Sequence, residues 1–253
     1  MFREERHQAI LALLQSHGRV SVADLSDRFS VSGVTIRADL QRLADQGMIA
    51  RTHGGAIPVG YGIQELSLLR RRQRQVAEKA RIATAAAELV GDGEAIFLDS
   101  SSTTLAVLPH IKQHFDLTVV TNSLVVAQEL LGLSNITVVM PGGTLHHDTV
   151  SLIDAGGLRI VERYNISKGF FGAHGLTLED GFTDVSEAEA RLKRSIVGTC
   201  RQVITLLDAT KWGRAGVASF AEAKDADVLI ADAAPEEMVS QMRDLGVEVN
   251  CVG

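Results

Sequence analysis

Six times after residue 94, a short β-rich run gives way to a turn of small polar residues. AIFLD leads into SSSTT, LTVVT into NSL, ITVVM into PGGT, GFF into GAHG, VITLLD into ATKWG and DVLIAD into AAPEE. The runs do not alternate apolar with polar residues, so each strand is expected to be buried on both faces. That is the mark of a mainly parallel sheet flanked by helices. The pattern restricts residues 76–253 to an open α/β sheet domain, entered by a helix over roughly Val76–Val90. Aromatic residues make up only 4% of the chain, so its core is expected to rely on Ala, Val, Leu and Ile.

The first 58 residues follow a different period. Ile10, Leu11, Leu13 and Leu14 fall on one side of a helix that stops at Gly18. Ser21 can cap a second helix, VADLSDRF, with Val22, Leu25 and Phe29 inward. Ser32 can cap a third, GVTIRADLQRLADQ, which Gly47 ends and whose Ile36, Leu40 and Leu43 share a face. MIARTHGGAIP then alternates and turns at Gly54-Gly55, as a β-hairpin wing does. Three helices and a wing make a winged helix-turn-helix over residues 1–58, close to the smallest size that folds alone. Residues 59–75 read as a linker with a basic cluster at Arg70, Arg71, Arg72 and Arg74.

The net charge of −6 taken alone argues against a nucleic-acid partner. Its distribution argues for one. Residues 1–81 hold 13 Lys and Arg against 8 Asp and Glu, whereas the remainder holds 12 against 23. In a helix-turn-helix the second helix enters the major groove and its N-terminal residues reach base edges. Here those residues are Ser32, Val34, Thr35 and Arg37, with Arg42 further along the outward side. Arg37 can bond a guanine edge or a phosphate, and Thr35 a phosphate or a base. Arg51 and His53 on the wing can meet backbone or minor groove.

In an open parallel sheet, ligands gather at the carboxyl ends of the strands, where the polar turns fall. Ser100, Ser101, Ser102, Thr103 and Thr104 offer hydroxyls and backbone N–H groups at a helix start, which suits an anion and equally suits a plain cap. Asn122 and Ser123 follow the next strand, Gly142-Gly143 permits close approach of backbone to a ligand, and Lys211 can meet a phosphate or a sugar oxygen. Asp184, Glu187 and Glu189 can bind sugar hydroxyls. Alternatively, the glutamates can cap the following helix or pair with Arg191 and Lys193 one turn on.

SVSGVTIRADLQRLADQGMIARTHGGA closely resembles the DNA-binding domain of the DeoR family of bacterial transcription regulators, through Ser32-x-x-Thr35-Ile36-Arg37-x-Asp39-Leu40, Gly47 and His53-Gly54-Gly55. Members often carry a second basic residue where this chain has Ala38. Asp39 is expected to partner a nearby arginine, since phosphate repels a carboxylate. The rest of the chain resembles that family's sugar-phosphate sensor domain, through Asp99-Ser100-x-Ser102-Thr103-Thr104, Thr121-Asn122-Ser123, Gly142-Gly143, Glu187-Ala188-Glu189 and Asp208-x-x-Lys211. The resemblance implies a fold related to ribose-phosphate isomerases and places Asp99 in the effector site. Ser101 stands where members often have Gly, and can crowd a phosphate or add a hydroxyl.

The expected function is therefore a sugar-catabolic transcription regulator, a repressor, that binds operator double-stranded DNA and a phosphorylated sugar as a homo-oligomer, dimer or tetramer. The rival is a sugar-phosphate isomerase with an accessory DNA-binding domain. Against it, the acidic loop of such isomerases has no aspartates in the matching Gly172–Thr177 stretch, and His174 alone lacks partners for a base. A nucleoid structural protein would need a more basic front. His146-His147-Asp148 lacks a third placed ligand, so no metal and no cofactor is expected. The two cysteines, Cys200 and Cys251, form neither a disulfide framework nor a metal spacing. No apolar run approaches a membrane span and MFREERHQ does not resemble a signal peptide, so a bacterial cytoplasmic location, at the nucleoid when operator-bound, is expected.

Overall fold

The computed structural model describes residues 3–17, 20–45, 48–52, 55–58, 68–153, 161 and 163–253. The chain divides into two compact units, Met1–Glu65 and Leu66–Gly253.

In the first unit, α1 (Arg3–His17), β1 (Val20–Ser21), α2 (Val22–Phe29) and α3 (Gly33–Asp45) precede the hairpin β2 (Ile49–Thr52) and β3 (Gly55–Pro58). The expected caps form. Ser21 Oγ accepts from Asp24 N at 3.0 Å and Ser32 Oγ from Thr35 N at 3.2 Å, each satisfying an N–H that the first helical turn leaves open. Between them Ser30 takes a left-handed conformation, φ 51°, and makes the turn. Ile10, Leu14, Val22, Leu25, Ile36, Leu40, Leu43, Ile49 and Ala56 form the buried core. A buried ion pair supplements this small core, with Asp39 accepting from Arg6 Nε at 2.6 Å and from His7 Nε2 at 3.0 Å. Asp39 is thus the arginine partner expected of it. β3 pairs antiparallel with both β1 and β2. A Cβ at Gly55 would lie 1.9 Å from the Val20 carbonyl oxygen, so only glycine lets β1 and β3 meet. The helix stops at Gly18 and Gly47 and the turn at Gly54 lie outside the described residues.

The second unit opens with α4 (Leu68–Gln73) and α5 (Val76–Ala87). Here the structure departs from the linker reading of 59–75: residues 68–73 are helical, and Leu68 is buried in the core of this unit. The sequence hid this because three consecutive arginines, Arg70 to Arg72, mask the apolar anchor just before them. Residues 59–67 lie outside the described ones.

The sheet is parallel throughout, seven strands in the order β15-β14-β12-β9-β4-β5-β6. The strands are β4 (Ala95–Leu98), β5 (Leu117–Thr121), β6 (Ile136–Val139), β9 (Lys168–Gly172), β12 (Gln202–Leu207), β14 (Val228–Ala231) and β15 (Glu248–Cys251). Its helices include α6 (Ser102–Leu105), α7 (Leu108–Ile111), α8 (Leu124–Leu130), α9 (Glu187–Val197) and α10 (Glu236–Asp244). Alternate residues face two separate cores. Phe97 and Phe171 belong to one, while Ile96, Leu98 and Phe170 belong to the other. That is why the runs show no alternation. The cores rely on Ala, Val, Leu and Ile as expected, with a few phenylalanines set among them. Phe97, Phe170, Phe171, Phe182 and Phe220 are all fully buried, and the Phe97 and Phe171 rings lie 5.4 Å apart.

The strand–turn–helix repeat also breaks. After β6 comes a hairpin, β7 (Thr144–His146) with β8 (Ser151–Ile153). After β9, β10 (Gly175–Thr177) and β11 (Gly181–Asp184) join β13 (Ala218–Ala221) in a small antiparallel sheet. These strands are only three or four residues long, too short to register as periodicity. Among the described residues, no helix is long and apolar enough to cross a membrane.

Candidate functional site

In the first unit, α3 buries Ile36, Leu40 and Leu43 and turns Ser32, Val34, Arg37, Ala38, Gln41 and Arg42 outward, with Thr35 half-buried. Val34 is 73% exposed, an apolar side chain held in water at the start of the helix. Ser32 Oγ and Thr35 Oγ1 lie 3.0 Å apart, so the cap also fixes the Thr35 hydroxyl. Arg51 sits in β2 opposite Ala56; its side chain, and all of His53, lie outside the described residues.

In the second unit the strand order fixes where a ligand can enter. β4, β5 and β6 run outward in one direction and β9, β12, β14 and β15 in the other, so the sheet reverses between β4 and β9. Beyond the carboxyl ends of such a pair, the loops diverge and leave a crevice. A cleft lies there, lined by Ser101, Ser102 and Thr103 after β4, Gly172, Ala173 and His174 at and beyond the end of β9, Asp184 and Val185 at and beyond the end of β11, Lys193, Lys211 and Arg71.

The turn after β4 is held from behind. Asp99 Oδ1 accepts from Ser101 N at 2.9 Å and its Oδ2 from Gly172 N at 2.9 Å, tying the β4 and β9 ends together. Lys193, on α9, lies 2.7 Å from Asp99 and 2.8 Å from Asp184, and donates to the Gly172 carbonyl at 2.8 Å. These three acceptors match the three N–H bonds of an ammonium. Burial opposes the charge on Lys193, but Asp184, Asp99 and Glu189 outweigh it and raise the pKa. Likewise burial would raise the Asp99 pKa, and Lys193 with the local hydrogen bonds brings it below the usual carboxylate value. Lys193 is therefore a locked cation that organises the cleft wall.

Lys211 is different. It follows Asp208, whose Oδ1 accepts from Thr210 N at 3.0 Å and shapes the short turn. Burial lowers the Lys211 pKa, Asp208 opposes this, and Arg71, Arg214 and Arg74 lower it further. His174 is also lowered, by burial and by Lys211, with Asp184 opposing and Arg214 and Arg71 reinforcing. Lys79, buried on α5, comes down to about 8, mainly through burial. Burial is the main cause in all three, neighbouring cations add to it, and a bound anion would favour the charged forms of all three.

Of the residues singled out from sequence, Ser101, Ser102, Thr103, Asp184 and Lys211 meet in the cleft. Asp99, Ser100, Thr104 and Glu189 lie buried behind it, with Glu189 accepting from Ser151 Oγ at 2.6 Å and Ser100 Oγ at 3.4 Å. Asn122, Ser123, Gly142 and Gly143 are not among its lining residues. Ser123 caps α8, and Asn122 Oδ1 is buried without a hydrogen-bond partner among the described residues. The helix after the serine turn, α6, is only four residues long, so anion attraction rests on side-chain cations more than on a helix dipole. Ser101 caps that helix through Thr104 N at 3.2 Å. The sequence reading missed Arg71 and Lys193. Arg71 looked like linker charge, and Lys193 like a partner of the glutamates one turn before it; among the described residues Glu187 pairs with Arg191, while Lys193 turns to Asp99 and Asp184.

The chain matches two family models, the DeoR-like helix-turn-helix domain over residues 6–59 and the DeoR C terminal sensor domain over residues 74–233. It is similar to the HTH-type transcriptional regulator YulB of Bacillus subtilis, at 34% identity over 100% of this chain and 98% of the relative. GolR of Listeria innocua is 36% identical over 92% of this chain and 91% of its own. The glycerol-3-phosphate regulon repressor of Escherichia coli is 31% identical over 96% of both chains. Among solved structures, ribose 5-phosphate isomerase A of Methanocaldococcus jannaschii superposes with a TM-score of 0.40 at 15% identity over 53% of each chain. So partial a likeness carries no argument.

Proposed function

Since the chain belongs to the DeoR family of transcriptional regulators, we propose that it is a repressor of sugar-catabolic genes, released from or retained on its operator by a phosphorylated sugar bound in the cleft between β4 and β9. The observation that carries this reading is the cleft at the sheet's reversal point, where Lys211 and Arg71 meet the Ser102 and Thr103 hydroxyls. A phosphoryl group supplies negative charge, and Ser102 and Thr103 hydroxyls and the Asp184 carboxylate edge suit phosphate and sugar oxygens. That one relative is a glycerol-3-phosphate regulon repressor supports the same ligand chemistry.

DNA is read by α3. Arg37 supplies a guanine or phosphate contact, Val34 an apolar face for a thymine methyl, and Ser32, Thr35 and Arg42 backbone contacts. Arg51 and His53 on the wing add phosphate or minor-groove contacts. A two-fold operator requires two such heads, so the working form is a homo-oligomer, dimer or tetramer. It works in the bacterial cytoplasm, on nucleoid DNA.

The cleft binds without turnover. Isomerisation needs a base beside the substrate C–H bond. Asp184 is held by Lys193 at 2.8 Å and by Val185 N at 2.7 Å, and so is engaged as a wall rather than a base. For the ligand to regulate, its affinity must differ between the DNA-competent and incompetent states. The test selects bound sequences from random duplexes, then measures operator affinity by fluorescence anisotropy across pentose and hexose phosphates. A shift of about tenfold or more with one of them is expected, in the range of ordinary coupling energies. Unchanged affinity with the sugar phosphate demonstrably bound overturns the reading, and so does measurable isomer formation by the purified chain.

A further inference from the structure

We infer that Arg71 is a ligand for the effector's phosphoryl group, and that α4, the helix carrying it, is the element through which the filled cleft acts on the DNA-reading unit. The inference rests on the proposed anion site and adds the residue and the route.

Arg71 lines the cleft together with Ser102, Thr103 and Lys211. Its Nε and Nη2 atoms are buried and have no hydrogen-bond partner among the described residues. Buried guanidinium N–H groups are costly to leave unmade, so an acceptor is expected in front of them. Nε–H and Nη2–H lie on one edge of the guanidinium plane and point in parallel. That fork fits two oxygens of one phosphoryl group, a match a point-charge lysine does not make. Lys193 cannot take this role, because Asp99, Asp184 and the Gly172 carbonyl occupy it.

The placement of α4 gives the contact a consequence. The N-terminal unit ends at Glu65, and α4 begins at Leu68. Three anchors hold α4 against the sensor unit: the buried Leu68 side chain, the Leu68 N–H donated to Asp148 O at 2.7 Å, and Lys79 Nζ donated to the Arg71 and Arg74 carbonyls at 2.5 and 2.6 Å. All three are independent of ligand. The Arg71 guanidinium is the fourth potential anchor, and it closes only on an anion. Burial brings Lys79 down to about 8, with Lys211 and Arg71 contributing, so the ammonium that caps α4 also gains from negative charge in the cleft. A bound phosphoryl group therefore fastens α4 twice, directly and through Lys79. The chain leaving α4 toward the reading head then starts from a fixed point.

The test compares the full chain with Arg71→Gln, Arg71→Lys and Lys211→Met. It uses inorganic phosphate at constant ionic strength alongside pentose and hexose phosphates and the corresponding free sugars. Hydrogen exchange over residues 68–75 and thermal shift are read in parallel. Phosphate should slow exchange of the wild-type α4 amides, and free sugars should not. R71Q should weaken phosphate binding about tenfold or more, R71K should restore part of it, and R71Q should keep operator affinity while losing its response to the sugar phosphate. If K211M loses phosphate while R71Q binds it as wild type does, the cleft stands and the role of Arg71 is overturned. Bound phosphate with unchanged α4 exchange in the wild type overturns the route, whatever the variants do. A wild-type chain taking neither phosphate nor any sugar phosphate fails the cleft reading itself, and the inference with it.

Discussion

Both units contain a buried ion pair joining segments far apart in sequence, and the two pairs do opposite things to their surroundings. In the reading unit, Asp39 takes Arg6 and His7 from the first helix and turns all of this inward. The residues of α3 proposed to meet DNA stay on its outer side, all exposed but the half-buried Thr35. In the sensor unit, Lys193 joins Asp99 to Asp184 within the wall of the cleft, and the lock is part of the site. The head therefore separates stability from recognition, whereas the sensor merges them. Substitution of each lock should show the difference.

The largest effect is expected from Lys193→Met. It leaves two carboxylates facing each other in the interior, and breaking a buried pair in this way costs about 3–5 kcal/mol. Trp212, the one tryptophan in the chain, lies in the sensor unit and reports on it alone. Its urea midpoint should fall sharply and phosphate should no longer raise it. An unchanged midpoint would show that the lock contributes specificity without stability.

Asp39→Ala should cost the head about 3 kcal/mol, the lower end for breaking a buried pair, because Arg6 and Asp39 keep 9% and 4% of their side-chain surface in water. Among the described residues, nine buried apolar ones form its core, so little stability is in reserve. Operator binding should be lost while the Trp212 transition stays where it was. A Trp212 midpoint that moves as well would break the division into independent units.

The same contrast explains what could be read from the sequence. The proposed recognition residues of α3 lie within eleven positions, 32 to 42, and helical period alone sorts them from Ile36, Leu40 and Leu43. The cleft is assembled from α4, β4, β9, β11, α9 and the turn at Lys211, whose order in the sheet no local period encodes. Its hydroxyl turn and Lys211 were legible because each directly follows a strong apolar run. Arg71 and Lys193 were not, because a cation's partners are known only once the strands are ordered. The small antiparallel sheet and the buried phenylalanines stayed hidden for a related reason. Phe182 and Phe220 lie in strands of four residues, GFTD and ASFA, which lack the run of Ile, Val and Leu that marks the equally short β4, β6 and β14.

A third substitution probes the contact between the serine turn and β9. A Cβ at Gly172 would lie 2.3 Å from Ser101 Oγ and 2.5 Å from Ser101 Cβ, closer than atoms can pack. Gly172→Ala should therefore cost about 1–3 kcal/mol as overpacking. Ser101→Gly alone removes a cap and should cost a few tenths, the usual figure for glycine in that role, roughly 0.3 kcal/mol. The double variant should recover most of the Gly172→Ala loss, a coupling that neighbours show and distant sites do not. If the losses simply add, Ser101 is not what reserves position 172 for glycine.

The smallest effect separates the units by pH. Lys79 has a folded-state pKa of about 8 against 10.5 for the ordinary side chain. Below pH 8 the lysine is protonated in both states, and the cost of burying its charge is carried in full. Between 8 and 10.5 the unfolded chain holds more protons, so stability must rise with pH in that window. Solvent screening reduces the full shift to a gain of about 1–2 kcal/mol. Lys211, also lowered, adds in the same direction. Asp39 in the head has the opposite sign. Burial would raise its pKa, but Arg6 and His7 outweigh this and hold it below 3.8, so its contribution is present above the unfolded value and lost only as pH falls through the folded one. From pH 8 to 9.5 the Trp212 midpoint should therefore climb while Asp39 leaves the head unchanged, and Lys79→Met should flatten the climb. Phosphate should bind more weakly across the same interval, because deprotonating Lys79 and Lys211 removes the charge it neutralises. A Trp212 midpoint that falls between pH 8 and 9.5 would mean that the buried ammonium stabilises the empty sensor, and the cleft would then not be short of an anion.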